Sequence, residues 1–132
     1  MLSSLRILLV EDNPVNQRLA IRLLEKHGHL VRSVWNGREA LDCLLEDTFD
    51  LVLMDIQMPE MDGLMATRRI RELEAGTDRH LPIIAVTAHA LVGDREQCLT
   101  AGMDGYVTKP ILESKLFEAI ADCLAKLRAV PF

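Results

Sequence analysis

The sequence lacks the features that mark several large classes of protein. No apolar run approaches the roughly 18 residues of a transmembrane helix, and no charged N-terminal region precedes a signal-type apolar stretch. Positive charge is not in excess either, since the formal net charge is −5 and a nucleic-acid-binding domain needs a basic face. We therefore expect a soluble, cytoplasmic domain without nucleic-acid or membrane contact, although its parent protein could be membrane-anchored.

Cysteine is scarce, and its spacing does not indicate metal binding. Cys43, Cys98 and Cys123 form no C-x-x-C pair and no other metal-type spacing. A scattered, odd number of cysteines in helical patterns indicates small core residues in a reducing compartment. The 132 residues, of which 49% are hydrophobic, suffice for one domain whose core needs neither disulfides nor a structural metal.

Two sets of basic residues are interpreted as surface features. Arg68, Arg69 and Arg71 form a small basic patch, for which we favour the solvated face of a helix. The scattered histidines are expected at the surface or at helix ends: His27, His29 and His80.

The sequence contains a regular alternation of two patterns. Short apolar runs, typical of strands buried on both faces, alternate with segments of helical periodicity. The expected strands are Leu5–Val10, Leu30–Val34, Phe49–Met54, Pro82–Val86 and a short one at Tyr106 and Val107. The expected helices run from Pro14 to a stop at Gly28, over Gly37–Leu45, around Ala66–Leu73, over Val92–Ala101 and around Leu116–Leu127. Five successive pairs of a strand and a helix predict an α/β fold, a doubly wound parallel sheet with helices on both faces.

The first helix has the clearest start. Asn13 offers an N-cap side chain, and Pro14 suits the first helical position. Val15, Leu19 and Leu23 then recur at helical spacing.

Polar residues follow four of the five expected strands. Glu11 and Asp12 come after the first strand and Asp55 after the third, while Thr87 ends the fourth and Lys109 lies near the end of the fifth. In folds of this class, ligands bind beyond the carboxyl ends of the strands. We therefore expect three carboxylates, a hydroxyl and an ammonium group at one edge of the sheet.

Such a group of side chains suits phosphoryl transfer. Crowded carboxylates repel one another, and a divalent cation with oxygen ligands, such as Mg²⁺, relieves that repulsion. A carboxylate can also act as a nucleophile and form an aspartyl-phosphate. Mg²⁺, the Lys109 ammonium and the Thr87 hydroxyl could then neutralise the charge on the phosphoryl oxygens. We favour this interpretation over a structural cluster of strand-end caps and surface charges.

Four motifs in this order resemble the receiver-domain family of response regulators, which act in two-component phosphorelay signalling. They are Val10–Asn13 (VEDN), Met54–Gly63 (MDIQMPEMDG), Val86–Ala88 (VTA) and Val107–Pro110 (VTKP). Each motif alone is weak, but the ordered set is specific and covers nearly the whole chain. The resemblance implies a flavodoxin-like (βα)5 sheet in the order 2-1-3-4-5, which agrees with the alternation above.

The resemblance also implies which residues bind the phosphoryl group and the metal. Asp55 is the expected phosphorylation site. Asp12 and Asp55 are the expected direct ligands of Mg²⁺, together with the backbone carbonyl of Gln57, and Glu11 would act partly through water.

Further roles follow from the same resemblance. Thr87 and Lys109 would contact the phosphoryl oxygens as catalytic groups, and Tyr106 would change rotamer together with Thr87 as the switch on activation. Gln57 and His89 each lie two residues beyond a site residue and are expected to tune the lifetime of the phosphoryl group.

The implied function is a phosphoacceptor that takes a phosphoryl group from a phosphohistidine donor and then relays the signal or the group. The domain would catalyse its own phosphorylation and dephosphorylation, so its status as an enzyme stays open. Asn13–Gln17, Ala88–Ala90 and Ala101–Asp104 resemble the receivers of hybrid sensor histidine kinases, whose partner is a histidine phosphotransfer domain. We expect a single receiver domain over residues 1–132, with a core of about 5–128 and no output domain.

Alternatives remain open at this point. The chain could be a free-standing response regulator that acts by protein–protein binding, or a pseudo-receiver that only binds partners. An enzyme of the haloacid dehalogenase class is disfavoured, because it needs a second acidic residue two positions after Asp55, and this chain has Gln57 there. A flavin-binding module is disfavoured because the acidic loop after the first strand would repel a phosphate.

Overall fold

Ten elements alternate along the chain in the computed structural model, which describes residues 4–56, 62–88 and 92–128, without the side chains of 92–95 and 127–128. The strands are β1 (Arg6–Val10), β2 (Leu30–Val34), β3 (Leu51–Asp55), β4 (Ile83–Thr87) and β5 (Gly105–Thr108). The helices are α1 (Pro14–Lys26), α2 (Gly37–Glu46), α3 (Gly63–Glu74), α4 (Val92–Ala101) and α5 (Glu113–Arg128). None of the helices in these ranges is long and apolar enough to cross a membrane.

The five strands form one parallel sheet in the order β2-β1-β3-β4-β5. This order confirms the expected flavodoxin-like fold. Register aligns the ends of neighbouring strands, because Asp55 pairs with Val86, and Thr87 pairs with Thr108. The carboxyl ends of the strands therefore meet at one edge, where ligands bind in folds of this class.

Alternate side chains of each strand enter two cores, one on either face of the sheet. Ile7 and Leu9 pack against α1 and α5, whereas Leu8 and Val10 pack on the opposite face with α2, α3 and α4. Burial on both faces explains why β1, β3 and β4 are nearly continuous apolar runs, whereas β2 and β5, at the edges of the sheet, are only partly buried. The three cysteines contribute to these cores as small buried side chains, as the sequence predicted: Cys43, Cys98 and Cys123.

Helix α1 begins as its sequence predicts, but Val15 and Leu19 are not among the side chains that face the sheet. Asn13 Oδ1 accepts from the backbone N–H groups of residues 15 and 16 at 2.9 and 3.1 Å, and Pro14 is the first helical residue. Val15 is nevertheless 72% exposed, because the stripe against the sheet consists of Gln17, Ala20 and Leu24. Small Ala20 lets the helix approach the sheet closely; Leu19 is exposed like Val15, whereas Leu23 is partly buried against the core on this face of the sheet.

One surface assignment is wrong, that of Arg71, whereas His29 lies at the C-terminal end of α1 as expected, with its backbone N–H donating to the Leu24 carbonyl at 3.1 Å. His29 is buried, and its Nδ1 accepts a hydrogen bond from the Leu5 backbone N–H at 3.1 Å. Arg68 and Arg69 are exposed as expected, but Arg71 is held between α3 and the segment that joins α4 to β5. In both cases a partner far along the chain provides the hydrogen bond that makes burial of a polar side chain tolerable.

Candidate functional site

The carboxyl edge of the sheet brings together the side chains that the sequence placed there. Glu11 follows β1, Asp55 ends β3, Thr87 ends β4 and Lys109 follows β5. Glu11 and Asp55 are only 2% and 1% exposed, and Thr87 is fully buried, whereas Asp12 lies at the surface. Two carboxyl groups with so little access to water require partners that compensate for the loss of solvation.

Lys109 is the partner of both buried carboxylates. Its Nζ lies 3.1 Å from Glu11 Oε1 and 3.1 Å from Asp55 Oδ2. The backbone holds this lysine in place, since the Lys109 N–H donates to the Thr87 carbonyl at 2.7 Å. A single ammonium group therefore bridges the ends of β1 and β3 from its place after β5.

Three carboxylates at this edge could hold a cation. Glu11, Asp12 and Asp55 each offer an oxygen, and these oxygens lie within 4.8 Å of one another. Hard oxygen donors at a partly open edge fit Mg²⁺, which binds few protein carboxylates and keeps several waters. Gln57, whose carbonyl was the fourth expected ligand, lies outside the described residues, as does His89.

The crowding of charge perturbs both titratable partners. Burial, a hydrogen bond to Asp55 and the charge of Asp55 raise the pKa of Glu11 to about 7, against the opposing effect of Lys109. Burial by itself lowers the pKa of Lys109, but its contacts with Asp55 and Glu11 outweigh this and raise the pKa overall. The edge thus has a surplus of negative charge that one ammonium does not fully compensate.

Gln17 supports the site in a way that sequence reasoning missed. Its Nε2 donates to the carbonyls of Glu11 and Val34, at 3.2 and 3.3 Å. The Asn13 backbone N–H in addition donates to Glu11 Oε2 at 3.3 Å. The only signal in the sequence was a polar residue in the inward stripe of α1, which periodicity alone does not distinguish from a surface residue.

Gly63 is a second residue whose importance the sequence understated. It is the first residue of α3, directly after Asp62, which caps that helix by accepting from the Met65 N–H at 2.8 Å. A Cβ on Gly63 would also collide with the Asp55 carbonyl and would lie 2.7 Å from Ile56 Cα. Only glycine permits α3 to begin so close to the backbone that carries Asp55.

Tyr106 lies some distance along β5 from the carboxylates. Its ring is half-buried and packs against the core on the α3–α4 side, while its backbone pairs with Ala85. A groove of about 380 Å³ between α4, β5 and α5 includes Tyr106, Leu99 and Lys126 in its lining. A rotation of this ring would therefore alter the surface of the α4–β5–α5 face.

Sequence comparisons identify a family and several proteins that are similar to this chain. The family model described as response regulator receiver domain matches residues 7–121. The hybrid signal transduction histidine kinase I of Dictyostelium discoideum is 47% identical, over 92% of this chain and 7% of its own length. Sensor histidine kinase GacS of Pseudomonas protegens is 47% identical, over 87% of this chain and 13% of its own length. The chain thus spans only a small part of the curated relatives it matches.

Solved structures give the same picture. The receiver domain of sensor histidine kinase PA1611 from Pseudomonas aeruginosa, solved with a magnesium ion in its active-site cleft, superposes with a TM-score of 0.82. The two are 41% identical, and the match covers 93% of this chain and 99% of that one. Chemotaxis protein CheY4 of Vibrio cholerae has a TM-score of 0.84 at 22% identity, with 92% and 99% covered, and supports the fold alone.

Proposed function

This chain belongs to the response regulator receiver domain family, and we propose on that premise that Asp55 accepts a phosphoryl group from a phosphohistidine donor. The observation that carries the proposal is the bridge from Lys109 Nζ to the buried carboxylates of Asp55 and Glu11. An ammonium at 3.1 Å from the nucleophilic carboxylate stands where an incoming phosphoryl group needs positive charge.

The chemistry assigned to this chain's residues is a single displacement. An Asp55 carboxylate oxygen attacks phosphorus, and the bond from phosphorus to the donor nitrogen breaks with its electron pair passing to the imidazole. Lys109 Nζ and the Thr87 hydroxyl donate hydrogen bonds to the phosphoryl oxygens, on which the charge is spread. Glu11, Asp12, Asp55 and the Gln57 carbonyl would hold Mg²⁺, which supplies further positive charge to these oxygens.

Treatment with acetyl phosphate and Mg²⁺ tests the phosphorylation site. Intact mass spectrometry should show the addition of one phosphate to the wild type and none to Asp55→Asn. Asp42→Asn, an exposed aspartate of α2, is the matched control and should be labelled like the wild type. Chelation of the metal should also suppress labelling. Full labelling of Asp55→Asn, or undiminished labelling in chelator, would contradict the proposal.

The response to phosphorylation is proposed to pass from Thr87 to Tyr106. The new group adds a charge of about −1.5 to −2 and three acceptor oxygens. The Thr87 hydroxyl would move to donate to one of them, and the Tyr106 ring would turn into the space beside β4. Tyr106 is the sole tyrosine, so 3-fluorotyrosine labels it alone and a ¹⁹F spectrum reports its environment.

In that experiment Thr87→Ala should still accept phosphate at Asp55 but lose the ¹⁹F change at Tyr106. The control is Thr108→Ala, which removes an exposed hydroxyl from the strand position paired with Thr87. An identical response to phosphorylation in Thr87→Ala and the wild type would exclude Thr87 as the relay.

Gln57 and His89 are proposed to set the lifetime of the phosphoryl group. Each lies two residues beyond a site residue, where a side chain could flank the attacking water. Exchange of either should change the hydrolysis rate by roughly tenfold, or about 1.4 kcal/mol of barrier. Decay of the phosphorylated mass at the wild-type rate in both variants would remove this role.

The onward partner is proposed to be a histidine phosphotransfer domain, with a free-standing regulator as the alternative. The support is the identity of 47% to two histidine kinases, of which this chain matches a small part. Phosphorylated wild-type domain mixed with a purified histidine phosphotransfer domain should lose its phosphate faster than by hydrolysis, with the label appearing on the partner. Hydrolysis alone would favour the free-standing regulator.

A further inference from the structure

A buried side-chain amide joins the first turn of α1 to the ends of two strands. Gln17 is 8% exposed, although it carries a polar group and lies next to exposed positions of its helix. Its Nε2 donates both to the carbonyl of Glu11, after β1, and to the carbonyl of Val34, at the end of β2. Both hydrogens of the amide are thus used on backbone carbonyls beside the carboxylate cluster.

The bond to the Glu11 carbonyl fixes a peptide plane that the other contacts of Glu11 do not hold. The Glu11 N–H donates to the Val34 carbonyl at 3.2 Å, and its carboxylate contacts Asn13 and Lys109. These bonds hold the amide nitrogen and the side chain of Glu11. The carbonyl belongs to the peptide that leads into Asp12, so its orientation decides where the chain places Asp12.

The position of the Asp12 carboxylate depends on the orientation of that peptide, whereas other contacts fix the positions of the Asp55 and Glu11 carboxylates. Asp55 lies within a paired strand, and Glu11 is buried, whereas Asp12 is exposed in the loop beyond the sheet. Mg²⁺ demands nearly ideal octahedral geometry, so a small rotation of the peptide would misplace one of its few protein ligands.

We infer that Gln17 is a positioning residue of the cation site, which acts by holding the Glu11–Asp12 peptide; the inference rests on the proposed function. Groups that orient a metal ligand without touching the metal commonly change metal affinity by about 10- to 100-fold when they are removed. A residue that served packing alone would change the stability of the fold without changing its affinity for Mg²⁺.

The test is a titration of the metal-free wild-type domain and of Gln17→Met with MgCl2, followed by ¹H–¹⁵N NMR. Methionine has a similar length but no hydrogen-bond donor. We expect the dissociation constant for Mg²⁺ to rise by about tenfold. Before Mg²⁺ is added, the chemical shifts of the variant and the wild type should differ most at the amides of residues 11–13. Gln97→Met makes the same exchange at an exposed position of α4 and should leave the dissociation constant unchanged.

A folded Gln17→Met with the wild-type dissociation constant would overturn the inference while leaving the proposed function intact. Failure of the wild type to bind Mg²⁺ would instead overturn the proposed function, and the inference with it. If methionine is not accommodated, Gln17→Ala removes the same donors without adding atoms and carries the same expectation and the same refutation. A higher affinity for Mg²⁺ in Gln17→Asn than in Gln17→Ala would add support, since asparagine retains the amide donors.

Discussion

Replacement of Arg71 by methionine should destabilise the fold far more than the same change at Arg69. Arg71 Nε donates to the Gly102 carbonyl at 2.9 Å, and its two terminal nitrogens bind Asp104 and Glu74 at 2.9 and 2.6 Å. These bonds join the last turn of α3 to the segment between α4 and β5. Only 18% of the Arg71 side chain is exposed, compared with 60% for Arg69.

The magnitude follows from what the substitution leaves behind. Removing one partner of a buried ion pair costs about 3–5 kcal/mol, because the remaining charge is uncompensated. Here Asp104 still accepts from the Ile83 N–H at 2.9 Å, and Glu74 from the Leu81 N–H at 2.6 Å, which lowers that cost. We expect a loss of about 2–3 kcal/mol, which for a domain of this size lowers Tm by about 6–10 °C.

Thermal unfolding followed by circular dichroism measures the effect, and Arg69→Met is the matched control on the same helix. Arg69 lies 3.8 Å from Glu72 with both side chains largely exposed, so its loss should cost less than about 0.5 kcal/mol. Equal Tm values for the two variants would show that the Arg71 contacts do not stabilise the fold, and would refute the reasoning from burial.

Two further predictions concern buried residues elsewhere in the fold. Gly63→Ala should cost about 1–3 kcal/mol in urea unfolding, because its Cβ meets the backbone of Asp55 and Ile56; wild-type stability would contradict this. His29 should make stability depend on pH: burial, and then the charge of His27, lower its pKa, so the unfolded chain binds the proton more readily. Stability should fall as pH drops below about 6.5, and His29→Asn, which removes the titrating imidazole, should remove that component; the same pH dependence in the variant and the wild type would contradict the role of His29.

The residues of the candidate site could be predicted from the sequence because each one ends a strand or directly follows one. The end of a buried apolar run can be recognised in the sequence. Parallel strands in a doubly wound sheet bring their carboxyl ends to one edge. Glu11, Asp55, Thr87 and Lys109 could therefore be grouped although nearly one hundred positions separate the first from the last. The structure adds that Lys109 bridges Glu11 and Asp55, which depends on the reach of a side chain rather than on a pattern.

The side chains that support the site could not be predicted in the same way. Periodicity showed that α1 is a helix but not which stripe faces the sheet: apolar Val15 is exposed, and polar Gln17 is buried. Arg71 lies beside two other arginines in sequence, and only its spatial proximity to Gly102 and Asp104 distinguishes it. Contacts of this kind depend on how loops cross the ends of elements, for which a single sequence carries no periodic signal.

The charge of the site gives a reason why the hydroxyl at the end of β4 would respond to phosphorylation. With all three carboxylates ionised, Lys109 leaves a formal excess of two negative charges, which one divalent cation would cancel. A phosphoryl group on Asp55 replaces one negative charge by about 1.5 to 2, so the balance becomes negative again. Besides Lys109, a neighbouring group with a proton to donate is then the Thr87 hydroxyl, which is buried and shares the edge with Asp55. Proposed switching thus follows from a charge that the cation and Lys109 together do not neutralise.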